Sequence, residues 1–390
     1  MNENPIEGIA DLNPAEEPTA VDSRPAGRIL NSAGQRRALR WLVPVGAAGV
    51  VAVIASGALS ASANPNLQPQ TAAQLLAAIS NAEVAGFSGT VVEKASLGLP
   101  QLPNIGGQSP NTGLLGMLTG SHTSRIWYGG QTKQRVAMLD SLGEQDVFRN
   151  GTQLWQWDSN SRTAVHTLLP ADAGKASPPA TSTLTPDQAA KQALSMIDPS
   201  TKVSTDSTSV VAGRSAYTLV LTPRDTRSRV GSVRISVDGK TKIPLGVQLI
   251  ARGKDKPALD VAFTRISFSV PSDNFFNFAP PPNATVKQGS GQSTQQPNAN
   301  GLDLAKAGGT PIGKGWTTVV KLTGVPSLSE IGKQSKDAGA LLDAFPEVKG
   351  SWGTGRLFSS ALLSALFTSD GTVYVGAVDP DLLYQAAEHK

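Results

Sequence analysis

Apolar–polar alternation with a period of two, repeated through segment after segment, limits the fold of this chain more than any other feature. In Ser232–Asp238 the apolar positions are Val233, Ile235 and Val237, with Ser232, Arg234 and Ser236 between them. In Tyr217–Leu221 they are Tyr217, Leu219 and Leu221, and in Leu259–Thr264 they are Leu259, Val261 and Phe263. Val247 and Leu249 belong to another strand, and Ile266, Phe268 and Val270 close the series. Successive strand side chains point to opposite faces, so this pattern means one buried and one wet face, as in an antiparallel sheet. Earlier strand-like segments are Phe87–Ala95, Ser124–Tyr128, Gln134–Leu139, Gln145–Arg149, Gln153–Asp158 and Thr163–Leu168. Gly129-Gly130, Asn150-Gly151 and Asp158–Asn160 mark the turns between them.

Such a sheet must cover its apolar face, and two helices are available to do so. The first begins after Thr71, which forms a capping box with Gln74. Leu75, Leu76 and Ile79 supply its apolar stripe, and Gly86 is the expected stop. The second has Thr185 as cap, Pro186 as first helical residue and Gln188 as box partner, and ends at Asp198-Pro199.

The N-terminal region reads as a membrane anchor. Residues 1–23 carry six acids and no base, and residues 1–40 are expected to be a disordered cytoplasmic tail. Arg24, Arg28, Arg36, Arg37 and Arg40 then precede an uncharged span, Trp41–Ala63, of the length that crosses ~30 Å of hydrocarbon. The arginines place the N-terminus in the cytoplasm and residues 64–390 outside. Ala61-Ser62-Ala63 also fits a signal-peptide cleavage site, so a retained anchor and a cleaved signal both fit the sequence.

Beyond residues 71–282, a Pro-, Gly-, Gln-, Asn- and Ser-rich stretch at 283–314 reads as a flexible linker. Residues 315–390 read as a small module with a strand at Trp316–Leu322 and a helix around Ser335–Phe345. A hairpin turning at Asp370-Gly371, with Leu357–Thr368 and Thr372–Val378 as its sides, precedes a last helix at 380–388.

Several chemistries are excluded or lack their residues. With no cysteine, thiol catalysis, thiolate metal sites and disulfides are ruled out. There are three histidines, and His122 and His166 have no His or acid at metal-ligand spacing. No Gly-x-Ser-x-Gly, Ser-x-x-Lys, P-loop, dinucleotide fingerprint or His-Glu-x-x-His occurs. The chain is therefore read as no enzyme, with neither metal nor cofactor. A net charge of +4 without a basic, aromatic-interleaved run gives no footprint for nucleic acid.

Two features suggest binding. Trp127, Tyr128, Trp155 and Trp157 form an aromatic set that is either ligand-facing or sheet core. The loop at 96–120 is long and apolar, with Leu97, Leu99, Leu102, Leu114, Leu115 and Met117. It is either a lid over the sheet or a hairpin tip packed on the core.

Residues 124–169 resemble the periplasmic lipoprotein carrier family (LolA-like) and its relative RseB/MucB. In that pattern an aromatic strand leads to a basic strand, an Asn/Asp-Gly turn and a Leu-Trp-x-aromatic run. Here these are Trp127, Arg135, Asn150-Gly151 and Leu154-Trp155-Gln156-Trp157. Residues 210–250 also resemble the family through Gly213-Arg214, Tyr217-Thr218-Leu219, Asp238 and Pro244-Leu245. Residues 262–286 resemble its Phe/Pro-rich closing segment. The membrane-anchored form is similar to actinobacterial members. Where the carrier has Lys-Arg-Pro after its tryptophan strand, this chain has Gly129-Gly130-Gln131, so the carrier's lid latch is not expected.

The resemblance implies an α+β fold: a curved antiparallel half-barrel with helices over the concave face, after one transmembrane helix and before the small α/β module. It implies that the protein holds lipid or lipoprotein acyl chains in an apolar cavity, and the Arg-flanked span read above makes that protein membrane-anchored and extracytoplasmic. The cavity residues expected on that basis are Trp127, Val136, Met138, Trp155, Trp157, Leu219, Val233, Ile235, Val247, Leu249, Val261 and Phe263. The alternative it implies is an RseB/MucB-like envelope-stress sensor that regulates a single-pass anti-sigma factor through protein contact.

Overall fold

A computed structural model describes residues 67–97, 119–139, 143–170, 184–289, 309–324 and 345–389. The expected tail, the Trp41–Ala63 span, most of the 283–314 linker and most of the Ser335–Phe345 helix lie outside these residues. Among the described residues no helix is long and apolar enough to cross a membrane.

Both capping boxes form. Thr71 accepts from the Gln74 amide and starts α1 (Ala72–Ser80), and Thr185 accepts from the Gln188 amide and starts α2 (Pro186–Ser195). The first helix stops before Gly86, because the Asn81 side chain turns back to the Ala77 carbonyl at 2.9 Å. Gly86 serves a close approach instead: a Cβ there would meet the Tyr128 carbonyl oxygen at 2.7 Å. The second helix ends at Ser195, ahead of Asp198-Pro199.

The strands of the main sheet are β1 (Phe87–Ser96), β2 (Thr119–Tyr128), β3 (Lys133–Leu139), β4 (Glu144–Asn150), β5 (Gln153–Asp158) and β6 (Thr163–Leu168). They continue with β7 (Thr201–Val211), β8 (Arg214–Pro223), β9 (Val230–Asp238), β10 (Pro244–Ala251), β11 (Pro257–Ser267) and β12 (Thr285–Gln288). Their order is β12-β6-β5-β4-β3-β2-β1-β11-β10-β9-β8-β7. The pairs are antiparallel except β12 with β6, which is parallel. The sheet curves enough to bring β7 back toward β11, yet remains open between β7 and β12.

One sequence irregularity has a direct structural cause. The apolar positions shift from odd numbers (Leu259, Val261, Phe263) to even ones (Ile266, Phe268). The expected two segments are one strand, and a bulge lets Val91 pair with Phe263 while Thr90 pairs with Arg265. The extra residue restores Ile266 to the face of Phe263.

Helix α1 packs against β7, and α2 against β10 and β11. The core there joins Leu75, Ala189, Ala190 and Ala193 of the helices to Tyr217, Leu219, Leu221, Val233, Ile235, Val237 and Val247 of the sheet. The alanines of α2 let its backbone approach the sheet closely.

The C-terminal residues form a second sheet from β13 (Thr310–Ile312), β14 (Val319–Leu322), β15 (Glu347–Gly350), β16 (Gly353–Ser359), β17 (Ser364–Thr368) and β18 (Val373–Gly376). Its order is β13-β14-β18-β17-β16-β15, and α3 (Pro380–Glu388) packs on it through Leu383, Ala386 and Ala387. The expected long first side of the hairpin is two strands, since Ser360–Leu363 turns between β16 and β17. Trp316 precedes β14 in a short 3-10 turn rather than starting the strand. This second sheet is joined to the first. The Trp316 indole donates to the Thr201 hydroxyl at 2.7 Å, Leu362 enters the first sheet's core, and the Asp379 amide donates to the Arg227 carbonyl.

Candidate functional site

The register divides the expected cavity residues between two faces. Leu219, Ile235, Val247 and Val261 stand side by side across β8, β9, β10 and β11, forming one lateral row. Val233 and Leu249 pair in the next row of that face, and Phe263 stands opposite Val91. Through Val91, Ser124 and Met138 the face continues onto β3, where Val136 lies between Ile126 and Val147.

Trp127, Trp155 and Trp157 lie on the other face. Trp127 pairs with Arg135, Arg135 with Phe148, Phe148 with Trp155, and Trp155 with His166. Because face alternates with each residue, Arg135 and Val136 cannot share one. A single cavity lined by all twelve residues is therefore corrected to two separate surfaces.

The tryptophan surface is a packed aromatic ladder. The Arg135 guanidinium lies over Trp127 on one side and Phe148 on the other, 4.7 Å and 4.5 Å from the ring centres. It also makes two hydrogen bonds to the Asp146 carboxylate, at 3.2 and 2.9 Å. The chain following β11 crosses this surface. Phe275 stacks on Trp127, and Phe278 packs against Phe148, Trp155 and Trp157. Lys133–Asp273 and Asn150–Asn277 contacts hold that segment down. His166 stacks on Trp155 and meets Gln153 at 2.6 Å, as part of this packing. Burial pushes the Asp146 carboxyl up to about 6 against the opposing hydrogen bonds of Arg135.

The other face changes character along the sheet. Over β7–β11 it is occupied: Leu219 and Ile235 are 0% exposed beneath the helices. Toward β3, β5 and β6 the same face carries Met138, Leu154 and Val165, which are only half-buried. Between the two regions stands a residue that the sequence reading passed over. Glu93 extends the row of Leu219, Ile235, Val247 and Val261, and is buried. Its carboxylate accepts from the Leu184 amide at 3.4 Å, and burial raises its pKa. The signal for it was the single acid in the strand FSGTVVEKA, on the parity of Val91.

Of the lid residues, Leu97 is buried in the helix-covered core and its carbonyl accepts from the Ala361 amide. It is a core residue instead of a lid. Leu99, Leu102, Leu114, Leu115 and Met117 lie outside the described residues. Among the described residues no group of His, Asp or Glu is arranged to hold a metal ion.

No protein-family model and no curated protein matches this chain. Solved structures do. The chain is similar to a chain of the MucA/MucB complex of Pseudomonas aeruginosa at 18% identity and a TM-score of 0.40, over 81% of this chain and 96% of that one. It is similar to a LolA superfamily protein of Nitrosomonas europaea at 11% identity and a TM-score of 0.21, over 54% and 99%. A third is a putative outer membrane lipoprotein-sorting protein domain of Vibrio parahaemolyticus, at 9% identity and a TM-score of 0.22, over 53% and 96%.

Proposed function

We propose that this protein is a membrane-anchored extracytoplasmic binding protein that holds acyl chains of a lipid or lipoprotein on the inner face of a half-barrel. The observation that carries this reading is the gradient along one face of the sheet. Helices α1 and α2 cover it over β7, β10 and β11, while Met138, Leu154 and Val165 of the same face stay half-buried. An acyl chain laid there gains about 0.8 kcal/mol for each methylene removed from water. The tryptophans, packed against Phe275 and Phe278 on the opposite face, hold the sheet together and do not touch the acyl chain.

The test is mass spectrometry of native protein and of organic extracts from residues 64–390, with two substitutions. Acylated compounds should co-purify, fall at least tenfold with Met138→Asp, and persist with Trp157→Leu. A folded, empty protein that takes up no added fatty acid would overturn the reading.

A second reading, contact with a single-pass membrane protein such as an anti-sigma factor, is favoured by the joined second sheet. Trp316 and Leu362 enter the first sheet's core, so a partner held by one sheet is mechanically tied to the other. This reading requires stoichiometric co-purification of such a protein with the full chain; its absence under mild extraction would sink it.

A further inference from the structure

The face opposite the helices carries an open pocket of mixed polar and apolar lining at the middle of the sheet. It has a volume of about 290 Å³, at the lower end of small-molecule sites and suited to a headgroup-sized ligand. Two short rows line it. In one, Arg125, Thr90 and Arg265 stand side by side on β2, β1 and β11; in the other, Trp127, Ser88 and Ser267 do. The arginines project from strands on either side of β1, about 10 Å apart at two strand spacings, so both can reach an anion held over Thr90.

The charge in this pocket is unbalanced. Among the described residues neither arginine has an acid within ion-pair distance or a hydrogen-bond acceptor, whereas Arg135, Arg214, Arg227, Arg229 and Arg234 each meet an aspartate. Two exposed guanidinium groups lining one pocket without a counter-charge favour a ligand that brings its own. The wall is held in place in advance, because Trp127 is clamped between Arg135 and Phe275.

We propose that this pocket binds a phosphate group, as a mono- or diester. Guanidinium forks match phosphate oxygens in pairs, and the Thr90 and Ser88 hydroxyls supply further donors. The Trp127 ring offers an apolar edge to the ester substituent. The phosphate is supplied either by a lipid headgroup or by a soluble phosphorylated molecule. The site lies on the face opposite the proposed acyl surface, so it stands independently of that reading.

The test uses the full chain in a mild non-ionic detergent. Isothermal titration is carried out with inorganic phosphate, glycerol 3-phosphate, dihexanoyl phosphatidylglycerol and dihexanoylglycerol. At least one phosphate-bearing probe should bind, and Arg125→Gln and Arg265→Gln should each weaken it tenfold or more. Lys256→Gln, away from the pocket, should leave it unchanged, and melting curves should show that every variant is folded. Tighter binding of the phospholipid than of glycerol 3-phosphate by tenfold assigns the site to a headgroup; the reverse assigns it to a soluble ester. Binding of dihexanoylglycerol that ignores both arginines belongs to the acyl surface and reports on that reading alone. Absence of binding by every phosphate probe, or binding unaffected by both arginine substitutions, overturns the proposal.

Discussion

Trp127 and Arg135 face each other across β2 and β3, with the Arg135 guanidinium carbon 4.7 Å from the centre of the indole ring. The same guanidinium covers Phe148 and binds Asp146, so one side chain joins three strands. It lets a charged row cross a sheet face on which Phe275 and Phe278 pack against the tryptophans. This contact fixes Trp127 in place and makes the ladder from Phe148 to Trp157 part of the sheet's packing.

Removing that side chain should be costly. Arg135→Ala leaves the buried Asp146 carboxylate without its partner and opens space between two rings. Breaking a buried pair from one side costs about 3–5 kcal/mol, and the one-fifth exposure of Arg135 places this case at the lower end. Urea unfolding at pH 7 should show a loss of about 3 kcal/mol, and a loss under 1 kcal/mol would contradict the role. At pH 5 the penalty should shrink, because a protonated Asp146 needs no cation.

The raised pKa of Asp146 makes stability depend on pH in a definite direction. An unfolded Asp titrates near 3.9, while burial holds the native group at about 6. Between those values the native state keeps a proton that the unfolded chain has lost. The contribution is therefore complete below about pH 4 and disappears as pH rises through 6. Burial raises Glu93 and Asp260 as well, which adds the same sign. Unfolding free energies measured from pH 4 to pH 7 should fall less steeply in Asp146→Asn than in the parent. Equal slopes would place the titration elsewhere.

How much of this was legible in the sequence depended on where the physical signal was local. Thr71/Gln74 and Thr185/Gln188 announced both helix starts, and Asn150-Gly151 set the boundaries of β5. β7 went unread because Thr201–Val211 is mostly Ser and Thr, and an edge strand needs no strict alternation. β12 lies in the expected linker, and its four residues are all exposed, so backbone pairing alone defines it. The split of the cavity residues follows from hairpin register, which ties Trp155 to Phe148 and Phe148 to Arg135. Which face the helices would choose, and that Phe275 and Phe278 would fold back over the other, is tertiary information that no short segment carries.

The joint between the two sheets should be a weak point under substitution of Trp316. Trp316→Phe keeps most of the volume and loses the hydrogen bond to Thr201, worth about 1 kcal/mol. Trp316→Ala leaves a cavity in the shared core and should cost about 3–5 kcal/mol. Hydrogen exchange should then speed up in β14 and β18 while β5 and β6 stay protected. Uniform loss of protection across both sheets would instead mean that the two unfold as one unit.

Ile235 separates a filled core from an open cavity. It is 0% exposed, flanked by Leu219 and Val247 in its row, with Leu75 and the alanines of α2 in the same core. A ligand-lining isoleucine would tolerate a polar replacement at the expense of binding alone. A packed one would not, since an aspartate there buries a charge with no partner. Ile235→Asp should therefore fail to give a folded protein, and Ile235→Ala should fold with a loss of about 2–5 kcal/mol. Met138→Asp, on the same face but half-buried, should fold with a melting temperature within a few degrees of the parent. If Ile235→Asp instead melts cooperatively near the parent temperature, space exists beneath the helices, and the ligand surface extends from β3 through β9.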